Sequence, residues 1–280
     1  MKHLPYLLTI LLYLSLHTPL EAQTKRETRT FQQINDSILQ EADKLYMYEQ
    51  AFTQTVKWID GDRRMRSRSG EVHVISRNDS IIALIMDAKS TQKVISEVYY
   101  YSSEDAGEIN PVERPLAEEE LHFIDMKALV MRNVQSKYSF TNPGKDEFFN
   151  PVFIPFTDVV RGKERHLYKL YLLTETTATS TIPFGRDYLY YADEEGKIFY
   201  NLQFNQYMPH SVTQEDIDQS QISITYPDRE PFITPADIYH FRKYATRYEI
   251  NRLLVHSTNY GIDFLYDWDR NELNVVMPEE

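Results

Sequence analysis

Apolar residues recur at helical spacing over the first well-patterned stretch of the chain. Ile34, Ile38, Ala42, Leu45, Phe52, Val56 and Ile59 stand three, four or seven apart, with Asn35-Asp36-Ser37 and many Gln and Glu residues between them. This predicts a long amphipathic helix over 31–59, closed by a basic island after Gly61. The period then drops to two. "EVHVISR" and "IIALIMD" flank "NDS" as a hairpin, and "KVISEVYYYS" at 93–102 supplies a third strand rich in β-branched and aromatic residues. Leu116–Val134 fits either period. Leu121, Ile124, Ala128 and Met131 suit a helix with Pro115 near its start, whereas "HFIDMKALVM" also reads as strand.

Three prolines and two glycines fall in "TNPGKDEFFNPVFIPFTDVVRGK", which predicts a boundary over 141–163. Beyond it, "RHLYKLYLLTET" predicts a strand, and "RDYLYYADEEGKIFYNLQF" a hairpin with an acidic turn at Asp193–Gly196. "SQISITY" is a further short strand. Ile238, Phe241, Ala245 and Tyr248 line one side of a helix over 235–248. "NRLLVHS", "IDFLYDW" and "LNVVMP" close the chain as strands. The pattern predicts an α+β protein. A long helix with antiparallel strands occupies 23–140, and a mixed sheet with a packed helix occupies 164–280.

The first 22 residues change the picture of where the protein works. Lys2, the apolar run Leu4–Leu16 and a cleavage context ending at Ala22 have the shape of a secretory signal peptide. The run is short for a membrane span. The expectation is a periplasmic or extracellular protein with no transmembrane segment after signal cleavage. There is no cysteine, which removes disulfides, thiol catalysis, Cys-ligated zinc and a lipid-acceptor cysteine together. An exported chain without disulfides points to a bacterial envelope. The net charge of −12 disfavours nucleic acid and anionic membrane as partners. One cationic island, Arg63, Arg64, Arg66 and Arg68, reads as a solvated loop, with an acidic partner as the other reading. Tyr is abundant at 21 residues. Tyrosines exposed in a row on the hairpin at 188–207 would make a carbohydrate- or protein-binding face, and half-buried sheet tyrosines are the plainer expectation.

The stretch "SQISITYPDREPFITPADIYHF" at 220–241 carries the main candidate chemistry. Thr234-Pro235-Ala236-Asp237 is by itself a helix start: a threonine cap, a proline in the first turn and an acid suited to the helix dipole. The stretch also resembles the JAMM-type (MPN) metalloproteases. That family carries His-x-His-Pro and then Ser-x-x-Asp at a helix start. The two histidines and the aspartate hold zinc, and an upstream glutamate acts as general base. Here Pro227 stands at the family's proline, Thr234 at its serine and Asp237 at its aspartate, but Ile224 and Tyr226 occupy the two histidine positions. The resemblance covers about 165–278. Glu164 and Glu175 are the candidates for the upstream glutamate. It implies a JAMM-like fold that kept its frame without metal, hence no cofactor.

Other catalytic routes find little support. His73, His122, His166, His210, His240 and His256 form no tight ligand spacing, and there is neither G-x-S-x-G nor a P-loop. Forty-two acids give carboxylate pairs by chance, so no glycosidase pair stands out. "NDSI" occurs twice. Its Asp-Ser-apolar core looks like an O-glycosylation acceptor of exported Bacteroidota proteins, which would place glycans on Ser37 and Ser80. The sequence therefore leads to a non-catalytic binding or structural protein with a protein or glycan partner. The alternative is a secreted metal-dependent peptidase or glycan hydrolase, with His210, His256 or carboxylates gathered near Asp237.

Overall fold

The computed structural model describes residues 31–77, 80–102, 106–138, 144–160, 162–226, 232–258 and 261–276. The expected signal peptide, residues 1–22, and Pro227 lie outside the described residues. Helix α1 (Phe31–Gly61) and a short α2 (Arg63–Arg68) lead into four antiparallel strands, β1 (Ser69–Arg77), β2 (Ser80–Asp87), β3 (Ser90–Tyr100) and β4 (Glu108–Pro115). Helix α3 (Glu118–Lys137) follows. A second antiparallel sheet has the order β5 (Glu147–Val160), β6 (Lys163–Thr176), β8 (Tyr188–Ala192), β9 (Ile198–Gln203). β7 (Thr181–Phe184) pairs with β10 (Met208–Ser211). The chain ends with α4 (Gln214–Gln219), β11 (Gln221–Tyr226), α5 (Pro235–Ala245), β12 (Arg252–Ser257), β13 (Ile262–Asp267) and β14 (Glu272–Val276). β11 and β12 run parallel across α5, and the remaining pairs of that sheet are antiparallel. An α+β protein with antiparallel and mixed sheets is what the pattern predicts.

Strand alternation explains the packing. Along β2, Ile81, Ala83 and Ile85 enter one core with Leu45, Tyr48, Ala51 and Ile59 of α1. Their neighbours Ile82, Leu84 and Met86 enter another with Phe123, Met126, Val130 and Val134 of α3. β6 and β8 divide their side chains between the same two cores. Strands buried on both faces read as unbroken apolar runs, as "IIALIM" and "LYLL" do. A third core joins β11–β14, the inner face of α5 and Ala42 of α1. At ~46 Å for 31 residues, α1 is long enough to serve all of this.

Several expectations shift. The boundary expected over 141–163 instead contains β5, whose 14 residues each pair with β6. Its prolines, Pro151 and Pro155, sit on the edge strand of the sheet, where no ladder donor is needed. Leu116–Val134 resolves as helix, rotated from the expected face: Phe123, Met126, Val130 and Val134 are buried, while Leu121 is exposed. Phe52 of α1 is exposed as well, and the inward stripe instead includes Asn35, Glu49 and Thr55. Each of these polar groups has a partner: Asn35 donates to Leu273 O (2.9 Å), Glu49 accepts from Asn150 (2.7 Å), and Thr55 meets the Tyr100 hydroxyl (2.8 Å). The basic island is a six-residue helix capped by Asp62 rather than a loop, and Arg63, Arg64 and Arg66 face solvent. In the tyrosine-rich hairpin, Tyr188 and Tyr190 are buried, so the hairpin does not present its tyrosines as one exposed row.

Candidate functional site

Helix α5 starts as the sequence predicts. Thr234 caps it, its Oγ1 accepting from Asp237 N at 3.2 Å, and Pro235 fills the first turn. Asp237 replies with its carboxylate: Oδ2 accepts from Thr234 N and Oγ1, both at 2.7 Å. Its other oxygen, Oδ1, accepts the hydroxyl proton of Tyr226 at the end of β11. Both side chains are 1% exposed. Ile224 is buried in the core that α5 shares with β11–β14. The structure thus brings Tyr226, Thr234 and Asp237 together and puts Ile224 among apolar side chains.

Around this helix start lies a polar cluster that the chain assembles from distant segments. His240, three residues along α5 from Asp237, bonds through Nε2 to Asp187 Oδ1 at 3.0 Å, and neither residue is exposed. Asp187 is delivered by a turn at Gly185 and Arg186, both at positive φ (76° and 59°). A Cβ on Gly185 would lie 2.1 Å from Gln206 O, so only glycine fits there. The same carboxylate accepts from Thr174 N at 2.7 Å. One residue along β6, Glu175 accepts from the hydroxyls of Tyr239 and Tyr244, each at 2.5 Å, and pairs with Lys243 at 2.8 Å. Lys243 also reaches Glu49 of α1 at 2.6 Å. Of the two upstream glutamates considered from the sequence, Glu175 belongs to this cluster, and Glu164 is exposed far out on the β5–β6 hairpin, opposite Val159.

Burial decides the electrostatics. It pushes the Asp237 carboxyl up to about 6, against the donors from Tyr226 and Thr234, and the Asp187 charge pushes the same way. Asp187 is likewise raised by burial, with His240 opposing. Burial depresses His240, but the adjacent Asp187 outweighs it and holds the imidazole above its ordinary value. Burial also raises Glu175, and there Lys243 and His240 win, so its carboxyl sits below the usual range. The result is three carboxylates and one imidazole in the interior, with Lys243 as the nearby cation. Such a cluster fixes the helix against β6 and α1. Both Asp237 oxygens accept hydrogen bonds from neighbouring side chains and backbone.

The remaining histidines go elsewhere. His210 pairs with Asp216 (2.9 Å) and His256 with Asp263, and neither is among the partners of Asp237. His122 meets Tyr168, and His166 meets Thr157. Among the described residues, no group of three or more His, Asp or Glu side chains could hold a metal ion, and no helix is long and apolar enough to cross a membrane. Ser37 is exposed on α1, and Ser80 opens β2 opposite Arg77. Sequence reasoning missed Asp187 and His240 as partners. The available signal was "FGRD": a glycine before two charged residues between strands marks a turn at positive φ that can aim an acid inward. Compared with family models, curated proteins and solved structures, the chain matches none.

Proposed function

We propose that the protein is an exported, non-catalytic binding or structural component of a bacterial cell envelope, built on a JAMM-like frame that works without metal. The observation that carries this reading is the bond from the Tyr226 hydroxyl to Asp237. In the JAMM arrangement that position would hold an imidazole, and the aspartate would face zinc. A phenol is a neutral donor here, burial holding its proton well above the ordinary tyrosine range. It therefore satisfies the aspartate instead of sharing a cation with it. Export is proposed on the leader-like residues 1–22, and a protein or glycan partner on the lack of any converged reagent among the described residues.

Metal analysis tests the reading. Protein purified without chelator is expected to contain well under one zinc per chain. Added zinc is expected to leave the melting temperature of the wild type and of Asp237→Asn equally unmoved. Stoichiometric zinc in the wild type that is lost in Asp237→Asn overturns the proposal.

A further inference from the structure

Helix α3 turns one lysine toward the core. Phe123 and Ile124 stand a turn before Lys127, and Val130 and Met131 a turn after it; all four belong to the core that α3 shares with β2 and β6. Lys127 is half-buried on that stripe, and among the described residues it has neither a hydrogen bond nor an ion pair. Its Nζ is not a buried atom, so the amine reaches solvent. Other lysines short of full exposure have a carboxylate at hand. Lys93 pairs with Glu113 at 2.9 Å, Lys169 with Glu41 at 2.8 Å and Lys243 with Glu49 at 2.6 Å, while Lys44 lies in the field of Glu41 one turn back.

Strand β1 faces this amine. Ile75 enters the same core as the buried residues of α3, and strand alternation puts His73 on that face. The His73 side chain is 13% exposed, and its Nε2 lies 3.4 Å from the exposed carboxylate of Glu71. Burial, and then the Lys127 charge, hold the imidazole below its ordinary value, with Glu71 opposing. Burial likewise depresses the Lys127 amine, and Glu71 offsets part of that. The outcome is an amine that gives up its proton more readily than an exposed lysine, beside an imidazole that is neutral at pH 7.

A carbonyl is the electrophile whose capture uses both groups. The Nζ lone pair bonds to the carbonyl carbon, and the C=O π pair moves to oxygen, which takes a proton. His73 accepts the proton that nitrogen sheds and returns it to that oxygen. The oxygen leaves as water while the C=N bond forms. Amine and aldehyde thus give imine and water, and nothing is oxidised or reduced. Half-burial of Lys127 favours a small aldehyde. We propose that Lys127 and His73 form a site that captures small aldehydes as an imine. The site goes beyond the metal-free frame around Asp237 and stands or falls without it.

Reductive trapping tests it. The folded protein is treated at pH 7 with limiting propanal and sodium cyanoborohydride, whose hydride fixes each imine as a secondary amine, and labelled lysines are located by peptide mass spectrometry. Lys127 is expected to label at least about fivefold faster than the exposed Lys57, Lys89 and Lys163, as a desolvated amine does. His73→Gln is expected to slow Lys127 by about threefold or more while the three exposed lysines keep their rates, because the proton carrier is gone. The proposal is overturned if Lys127 in the wild type labels no faster than the exposed lysines, a comparison that needs no variant to fold. It is overturned equally if folded His73→Gln labels Lys127 at the wild-type rate.

Discussion

Replacing Asp237 with asparagine should stabilise the protein at neutral pH and do nothing of the kind in acid. Asp237 is 1% exposed, and its carboxyl is raised from 3.8 to about 6 by burial. A folded-state pKa above the unfolded value means that the native state binds the proton more tightly. The contribution is therefore fully present below about pH 4 and is lost as pH climbs through about 6. A shift of roughly two units corresponds to about 3 kcal/mol, an upper figure because neighbouring groups titrate together. Asparagine reproduces the neutral shape. Its oxygen can accept from Thr234 N and Oγ1 as the carboxylate does, and its amide can donate to the Tyr226 hydroxyl oxygen. Urea unfolding at intervals from pH 4.5 to 8, followed by the fluorescence of Trp58 and Trp268, measures both proteins. The expected result is a stability gap in favour of Asp237→Asn that opens as pH rises and reaches about 1–3 kcal/mol at pH 8. His240 is raised too, in part by the Asp237 charge itself, so the difference between the curves reports Asp237 together with its coupling to His240. Parallel curves would refute the claim that this carboxylate is a buried cost.

Two further outcomes follow from the same contacts. Tyr226→Phe removes the hydroxyl from Asp237 Oδ1 and should cost about 1–3 kcal/mol, more at pH 8 than at pH 5 because the unpaired oxygen is then charged; equal losses at both pH values would contradict this. Leu45→Ala, at a position with no exposure, should cost about 2–5 kcal/mol in chemical denaturation, while Phe52→Ser at 42% exposure should stay within about 0.5 kcal/mol; the reverse ranking would show that α1 packs by its other face.

Much of the local structure was legible because it depends on short-range periodicity. The hairpins, α1, the cap at Thr234 and the β11–α5–β12 unit follow from alternation, spacing and turn residues. The misjudged places share one cause. Phe52 and Leu121 have the apolar character of core residues but are exposed, while Asn35, Glu49 and Thr55 turn inward, since what a helix buries depends on which partners await it. A count of prolines and glycines suggested a break at 141–163. Those residues tolerate an edge strand, and edge or centre is a property of the assembled sheet.

From the order of amino acids it already follows that the chain is α+β and that it lacks cysteine. The surroundings of Asp237 emerge only when the chain has folded. Asp187 and Glu175 lie 50 and 62 positions away in sequence, and no pattern within a helix or strand encodes their approach. Local propensity acts over a few residues through backbone sterics and capping. The burial that lifts Asp237 toward 6, and the pairing of His240 with Asp187, arise when separate elements close on one another and exclude water.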